Sequence, residues 1–388
     1  MGTASRRSGF FSETNALSSQ FGFSMSIGEV LQQRLRENGR VTRVFPDQSF
    51  EASIQSIADL SRGVGGAIAV SIIHTNAIIV VSQDGARRNR LDVTGNRLVI
   101  PRRRPDVMAV FGNDAGLQLV RLDHGLAQAA FPSSSPALLD CDIAADGFLA
   151  ASTKIANDSH DLGLVVGLHD LRTNHAGIPI STYGPFPVLR DHQTNIPIHV
   201  RMLSEFGDKI LLHCPDGMCC VFDVRMNRTG RDSAVNSFQV TGDVLPAQWD
   251  AGKSEWIPGN APHAGPVTQL CSLMDGDRIL TGCDDEGFRL WSCSSGRVLE
   301  AFPAACGRFT PVIPPADLMG PVMSFYAPPR CSSAVIGEWS FKAPTEAVHM
   351  IADAALLAPS CGVVVGSSGL DGLLVGTHLG RIAKWSVA

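Results

Sequence analysis

Short apolar runs separated by turn residues recur from Val41 onward, and this alternation restricts the fold more than any other feature of the sequence. In residues 267–273 apolar and polar side chains alternate as they do in a half-buried strand. Asp and Gly separate the runs, glycine (38) and proline (23) are plentiful, and charged residues make up only 18% of the chain. This pattern predicts an all-β protein of short strands joined by many turns.

The best-formed unit spans residues 263–298 and contains four strand-like runs separated by turns. Four antiparallel strands in a unit of this length form one blade of a β-propeller. Weaker strand–turn–strand patterns occur at residues 78–92, 108–123, 164–170, 211–223 and 372–385, with a degenerate unit at 325–341. We therefore predict a single β-propeller of four-stranded antiparallel blades over residues 41–388. It has seven blades, six being the alternative count, and a closing strand at residues 41–45.

Residues 1–40 are predicted to form an N-terminal tail and a short amphipathic helix. Ser26 and Glu29 have the spacing of a capping box, in which the two side chains satisfy free amides at a helix start. The apolar residues that follow lie on one face at helical spacing: Ile27, Val30, Leu31 and Leu35. The helix either packs against the propeller or docks on a partner.

Four residues of the 263–298 unit match a hydrogen-bonded set found in WD repeats: His263, Thr281, Asp285 and Trp291. The unit therefore resembles a WD repeat (WD40). The resemblance implies a structural tetrad in which Asp285 accepts a hydrogen bond from the buried His263, and Trp291 covers the pair and donates its indole N–H. It also implies that His263 is structural rather than a metal ligand or a base.

Two further motifs are similar to the WD repeat-containing protein 89 family, namely Asp285-Glu286-Gly287-Phe288 and Gly376-Thr377 followed by Gly380-Arg381-Ile382. The general resemblance to WD repeats extends over most of residues 41–388. Together the resemblances imply a protein-binding scaffold without catalytic chemistry.

The sequence contains no strong catalytic or metal-binding signature. The nucleophile-elbow, P-loop and zincin patterns are absent, and the eleven His residues are dispersed, with His192 and His199 expected at the surface or in caps. We therefore expect a non-enzymatic protein with no cofactor and no metal.

Cysteine usage and hydropathy bear on location. Ten Cys without a C-x-x-C motif indicate reduced thiols buried as small hydrophobes, which favours a cytoplasmic or nuclear protein. No apolar stretch is long enough to span a membrane. Arg6 and Arg7, among many serines, leave a mitochondrial presequence as the alternative.

Arg102, Arg103 and Arg104 form a basic cluster, with Arg87 and Arg88 close by in sequence. Because each guanidinium offers a planar fork of donors, the cluster suits a phosphate backbone or an acidic partner. A solvated loop between blades is the alternative. Aromatic residues are not interleaved with the cluster, which weakens a base-stacking role.

Trp249 and Trp256 lie in a long insertion at residues 228–262. Long loops on a rigid scaffold are where binding usually occurs, and an exposed Trp there would anchor a partner. The alternative is that both rings cover a blade edge.

The function predicted from these features is a protein–protein interaction scaffold or assembly factor, monomeric within a larger multiprotein complex. The alternative is a propeller that binds RNA or a ribonucleoprotein through the Arg cluster. The net charge of −5 makes that alternative secondary, because nucleic-acid binding favours a basic protein.

Overall fold

Strands that follow one another in sequence pair antiparallel along almost the whole described chain. The computed structural model of the protein describes residues 39–44, 53–60, 67–72, 77–82, 88–112, 116–122, 126–131, 138–158, 161–173, 178–187, 198–226, 233–243, 248–250, 255–257, 262–273, 275–283, 287–302, 312–313, 322–326, 334–339, 349–353, 359–365, 372–377 and 380–387. The predicted N-terminal helix lies outside these residues. Within them helical structure is confined to short 3-10 turns such as Val224–Met226, and none of it could span a membrane.

Thirty strands are defined in the described residues. In chain order they are β1 (Gly39–Val44), β2 (Ile54–Asp59), β3 (Ala67–Ile72), β4 (Ala77–Ser82), β5 (Arg88–Thr94), β6 (Arg97–Val99), β7 (Val107–Gly112), β8 (Gly116–Arg121), β9 (Leu126–Phe131), β10 (Leu138–Ile143), β11 (Leu149–Asp158), β12 (Asp161–Asp170), β13 (Ser181–Pro187), β14 (His199–Met202), β15 (Lys209–His213), β16 (Met218–Asp223), β17 (Asn236–Gln239), β18 (Gln248–Asp250), β19 (Glu255–Ile257), β20 (Val267–Ser272), β21 (Arg278–Cys283), β22 (Gly287–Ser292), β23 (Arg297–Phe302), β24 (Val312–Ile313), β25 (Val322–Tyr326), β26 (Ala334–Trp339), β27 (His349–Asp353), β28 (Pro359–Val365), β29 (Gly372–Thr377) and β30 (Ile382–Val387). The all-β prediction is confirmed.

These strands form seven four-stranded antiparallel sheets and one hairpin within the described residues. Six sheets use four consecutive strands each, namely β2–β5, β6–β9, β10–β13, β14–β17, β20–β23 and β24–β27, and the hairpin is β18–β19. The seventh combines β28, β29 and β30 with β1. Successive sheets contact one another through their first strands, with a second strand taking part in one contact. The contacts are β2 with β6, β7 with β10, β10 with β14, β14 with β20, β20 with β24, β24 with β28, and β28 with β2. The arrangement is compatible with a propeller.

The burial of individual strands reflects a neighbouring sheet on each face. The second strands β7, β15 and β21 are buried along nearly their whole length, so their sequences are continuous apolar runs. The first strands β14 and β20 are only intermittently buried, and residues of both line a cavity described below. Apolar and aromatic contacts fill the space between sheets, as where the Phe238 and Trp291 rings stack at 5.8 Å.

The N-terminal and C-terminal parts of the chain meet in one sheet. The closing strand expected at residues 41–45 is found at Gly39–Val44, where β1 pairs antiparallel with β30 and Val41 lies opposite Trp385. The adjacent β2–β5 sheet packs on this mixed sheet through a shared apolar cluster that includes Ile54 and Leu374. The Ser360 hydroxyl also donates to the Ile54 carbonyl oxygen at 2.6 Å.

Two of the weaker repeats differ in detail from their sequence interpretation. In the repeat at 78–92 the two strands are β4 and β5, the third and fourth of their sheet, whereas the repeats at 108–123 and 211–223 form the second and third strands of theirs. All strands of a buried sheet carry similar apolar runs, so a turn in the sequence does not identify which pair of strands it joins. The degenerate unit at 325–341 lies within a complete sheet, β24–β27, whose first strand has only two residues.

Removing β1 should destabilise the protein, because the deletion exposes the β30 edge to solvent and to other chains. We expect a variant lacking residues 1–44 to melt about 5 °C or more below the full chain and to aggregate on heating. A variant lacking residues 1–38 retains β1 and is the matched control. Differential scanning calorimetry with light scattering measures both, and equal melting of the two variants would contradict the role of β1.

Candidate functional site

The predicted residues His263, Thr281 and Trp291 come together in one buried hydrogen-bonded set. The Thr281 hydroxyl oxygen lies 2.8 Å from His263 Nε2 and 2.8 Å from Trp291 Nε1. All three side chains are fully buried. The fourth predicted member, Asp285, lies outside the described residues.

An arginine that the sequence interpretation missed contacts the same histidine. Arg289 Nη1 lies 2.6 Å from His263 Nδ1. Because a guanidinium only donates hydrogen bonds, Nδ1 must accept, and the ring proton is therefore on Nε2. Nε2–H then donates to Thr281 Oγ1, which also accepts from the Trp291 indole. The predicted acceptor Asp285 lies outside the described residues, and the described contact at Nδ1 is a cationic donor.

The environment of His263 keeps its ring neutral. Burial, followed by the positive charge of Arg289, lowers the pKa of His263 from 6.5 to about 3. Both ring nitrogens are occupied by protein partners, so the residue has no free nitrogen for a metal or a proton transfer. This arrangement fits a structural role.

A related pair occupies equivalent positions in the β10–β13 sheet. The Ser152 hydroxyl in β11 lies 2.8 Å from His169 Nε2 in β12, and both residues are buried. In the register of each sheet, Ser152 corresponds to Thr281 and His169 to Trp291. An imidazole thus takes the place of the indole, as expected from the His169-Asp170 dipeptide in the repeat at 164–170.

A buried ionic network joins the first strands of three successive sheets. Arg97 in β6 contacts Asp140 at 2.9 Å and Asp142 at 3.0 Å, both in β10. Arg201 in β14 contacts the other oxygen of Asp140 at 2.6 Å. Burial alone would raise the pKa of Asp140, but Arg201 and Arg97 outweigh it and hold that pKa below its ordinary value.

Backbone groups of the neighbouring sheet complete the network. The amides of Val200 and Met202 in β14 donate to Asp140 at 3.0 Å and to Asp142 at 2.9 Å. His199, expected at the surface, is instead almost buried, with Nδ1 3.9 Å from Asp140. Burial, with Arg201 close by, lowers the pKa of His199 well below its ordinary value. The alternation of side chains along β10 and β14 is consistent with these positions, but no pattern in the sequence predicted which side chains would pair.

The network lies beside a cavity of about 320 Å³ where the first strands of four sheets approach one another. Its wall includes guanidinium groups from two different sheets and from the turn after β6, together with the edge of β20: Arg97, Arg102, Arg201, Asp142, Leu270, Cys271 and Ser272. Of the predicted basic cluster, only Arg102 lines this cavity.

The rest of that cluster lies on an adjoining surface formed by three turns. The Arg103 amide donates to the Ala145 carbonyl at 2.9 Å, which joins the turn after β6 to the turn after β10. Arg103 also stacks over the Phe206 ring at 4.6 Å and pairs with Glu205 at 2.6 Å, both in the turn after β14. The aromatic residues that the linear sequence lacks near this cluster are therefore supplied by other sheets.

A second aromatic residue lies in the same surface. Arg104 and Arg172 approach the Phe148 ring at 5.5 and 5.4 Å. Arg172 also pairs with Asp170 at 2.7 Å. We refer to Arg103, Arg104, Phe148, Arg172 and Phe206 as the Arg–Phe surface. Phe206 is 61% exposed and Phe148 36% exposed.

The remaining predicted site residues are placed elsewhere. Arg87 lies outside the described residues, and Arg88 is in β5, on a different sheet from Arg102. Trp249 and Trp256 are directly opposite each other in the β18–β19 hairpin. Among the described strands, β5, β18 and β19 belong to other sheets than those that carry the Arg–Phe surface.

The thiols of the described chain are unreactive in character. None of the eight cysteines in the described ranges forms a disulfide, and six of them are buried. Burial, with Asp140 next, raises the pKa of Cys141 well above its ordinary value, which disfavours the nucleophilic thiolate. In the same ranges no group of three or more His, Cys, Asp or Glu side chains is arranged to hold a metal ion.

Thr281→Val should destabilise the protein strongly, because it leaves the His263 and Trp291 N–H groups buried without their acceptor. We expect a loss of about 2–5 kcal/mol in the free energy of unfolding, measured by urea denaturation. Thr281→Ser keeps the hydroxyl and should lose about 1 kcal/mol for the missing methyl. Equal losses in the two variants would show that the hydroxyl is not the stabilising group.

The pKa of His263 makes a specific contribution to acid sensitivity. The unfolded chain binds a proton to this ring below pH 6.5 while the folded chain does not until about pH 3, so stability falls as pH falls through that window. Relative to His263→Gln, the wild-type protein should lose about 2 kcal/mol between about pH 7.5 and 5. Chemical denaturation across that range measures the difference, and parallel curves would contradict it.

No protein-family model matches the chain, and a search of curated proteins finds no significant match. The WD-repeat resemblance, the non-enzymatic character, the partners and the cellular location accordingly stay predictions.

Proposed function

We propose that the seven sheets are the blades of a WD-type β-propeller that serves as a non-catalytic platform for binding other proteins. The sheets follow one another in chain order, and β2 packs on β28, which supports a ring of blades. The pairing of β1 with β30 supports closure through a sheet shared by both ends of the chain. The set formed by His263, Thr281 and Trp291 supports the WD type.

The observation that carries the binding role is the Arg–Phe surface. Large exposed aromatic rings stacked with arginines are typical of the residues that dominate protein–protein binding energy. Phe206 and Phe148 hold such positions on turns of two neighbouring sheets. These turns are supported by buried strands, so the rings are presented with little loss of backbone freedom on binding.

The charges of this surface favour a protein over a nucleic acid. Arg103 pairs with Glu205, Arg104 contacts Asp106 at 3.4 Å, and Arg172 pairs with Asp170. A phosphate backbone would meet these carboxylates as well as the guanidiniums. Binding of RNA through the Arg cluster remains the alternative, and it requires salt-sensitive affinity.

The test uses the tagged full-length chain, purified with its native partners under mild conditions and weighed by native mass spectrometry. We expect an assembly with defined protein subunits that is lost in Phe148→Ala/Phe206→Ala. The matched control is Ile178→Ala/Ile180→Ala, which removes two other exposed apolar side chains. The control should retain the assembly.

The outcomes separate the two functions. A monomeric wild-type protein, or an assembly that both double variants retain, would overturn the proposal for this surface. An assembly that dissolves with ribonuclease, and whose salt dependence falls in Arg102→Ala/Arg103→Ala/Arg104→Ala, would establish the RNA alternative instead.

A further inference from the structure

The cavity between the first strands has an unequal supply of hydrogen-bond acceptors and donors. All four oxygens of the two carboxylates in its ionic network already accept hydrogen bonds from the protein. Asp140 Oδ1 accepts from Arg97 and the Cys141 amide, and its Oδ2 accepts from Arg201 and the Val200 amide. The two oxygens of Asp142 accept from Arg97 and from the β14 backbone.

The guanidinium groups of Arg97 and Arg201 have N–H donors that make no hydrogen bond to a described residue. A guanidinium has five N–H donors. Within the described residues, Arg97 uses three of them, on Asp140, Asp142 and the Cys141 carbonyl. Arg201 uses four, on Asp140, the Val200 and Leu270 carbonyls, and His199. Both side chains line the cavity, so their remaining N–H groups are available to a ligand there.

The charge balance also favours an anion. Arg97, Arg102 and Arg201 carry three positive charges against the two negative charges of Asp140 and Asp142, which leaves one in excess. Arg102 is exposed at the wall of the cavity and makes no ion pair with another described residue. Arg201 is only 12% exposed, and low hydration strengthens its attraction for an entering anion.

We propose that this cavity binds one carboxylate, carried by an Asp or Glu side chain of the partner protein that docks on the Arg–Phe surface. The inference rests on the proposed function and names the chemistry of its partner. One uncompensated positive charge matches a carboxylate better than a phosphate dianion. The flanking arginines are already paired with Glu205, Asp106 and Asp170, so the surface offers no extended positive field for a polyanion.

A random peptide library displayed on phage is the first probe, selected on the full-length protein and counter-selected on Arg102→Ala. Arg102 is the suitable position because its side chain is exposed and free of the structural network. Arg381→Ala, which removes another exposed arginine, is the matched control. Peptides that require Arg102 should share one fixed acidic position.

The second measurement uses the most enriched peptide and its acidic-to-amide analogue in fluorescence anisotropy. The amide analogue should bind the wild-type protein and Arg381→Ala roughly tenfold more weakly than the acidic peptide. Arg102→Ala should weaken binding of the acidic peptide roughly fivefold. In Arg102→Ala the difference between the two peptides should shrink, because the acidic side chain and Arg102 contribute to one interaction.

Several results would overturn the carboxylate site. These are enriched peptides without a fixed acidic position, equal affinity of the two peptides, or no enriched peptide at all. Competition by inorganic phosphate but not acetate would reassign the ligand to phosphate, and competition by oligouridylate would reassign it to RNA. Peptides that bind without an acidic position would remove the carboxylate site while leaving the scaffold function, which has its own test in the native assembly.

Discussion

Covering both faces of small antiparallel sheets is the constraint from which the rest of this molecule follows. A four-stranded sheet with apolar second and third strands is unstable alone, because both of its faces need another apolar surface. In the described residues, shared apolar clusters join neighbouring sheets from β2–β5 through β20–β23. The β2–β5 sheet and the sheet of β28, β29, β30 and β1 face the same requirement, and the shared cluster of Ile54 and Leu374 meets it. The pairing of β1 with β30 also covers the edge of β30.

Apolar packing between sheets does not by itself fix how the first strand of one sheet is aligned with the first strand of the next. Polar contacts supply that specificity: Asp140 and Asp142 of one sheet accept hydrogen bonds from the backbone amides of β14 in the next. Burying two carboxylates costs free energy unless cations compensate them. Arg97 and Arg201 reach them from the sheets on either side. The charges of Arg97 and Arg201 balance those of the two carboxylates. The excess positive charge at the cavity therefore comes from Arg102, which lies outside this network, and it underlies the proposed carboxylate site.

The set of His263, Thr281 and Trp291 and the Arg–Phe surface differ in how far they could be predicted. The resemblance to WD repeats implied the set, and Thr281 and Trp291 lie on adjacent strands of one unit. Arg289 was missed because an arginine in a strand carries no sign of its partner. Phe148 and Phe206 lie on turns of two different sheets, far in sequence from Arg103 and Arg104. A linear search for aromatic residues beside the basic cluster therefore found none, although the folded chain stacks both rings under guanidiniums.

The order of apolar and polar residues by itself determined that this chain forms short antiparallel strands, and it located several of them, such as β20, β21 and β22. It did so because strand periodicity and turn chemistry are local properties that neighbouring residues settle between them. Only the tertiary structure decided which side chains meet where the first strands of the sheets approach one another. It also decided how their charges balance and which aromatic rings lie beside the arginines. Those contacts join residues from separate sheets, and they depend on how whole sheets pack rather than on any local pattern.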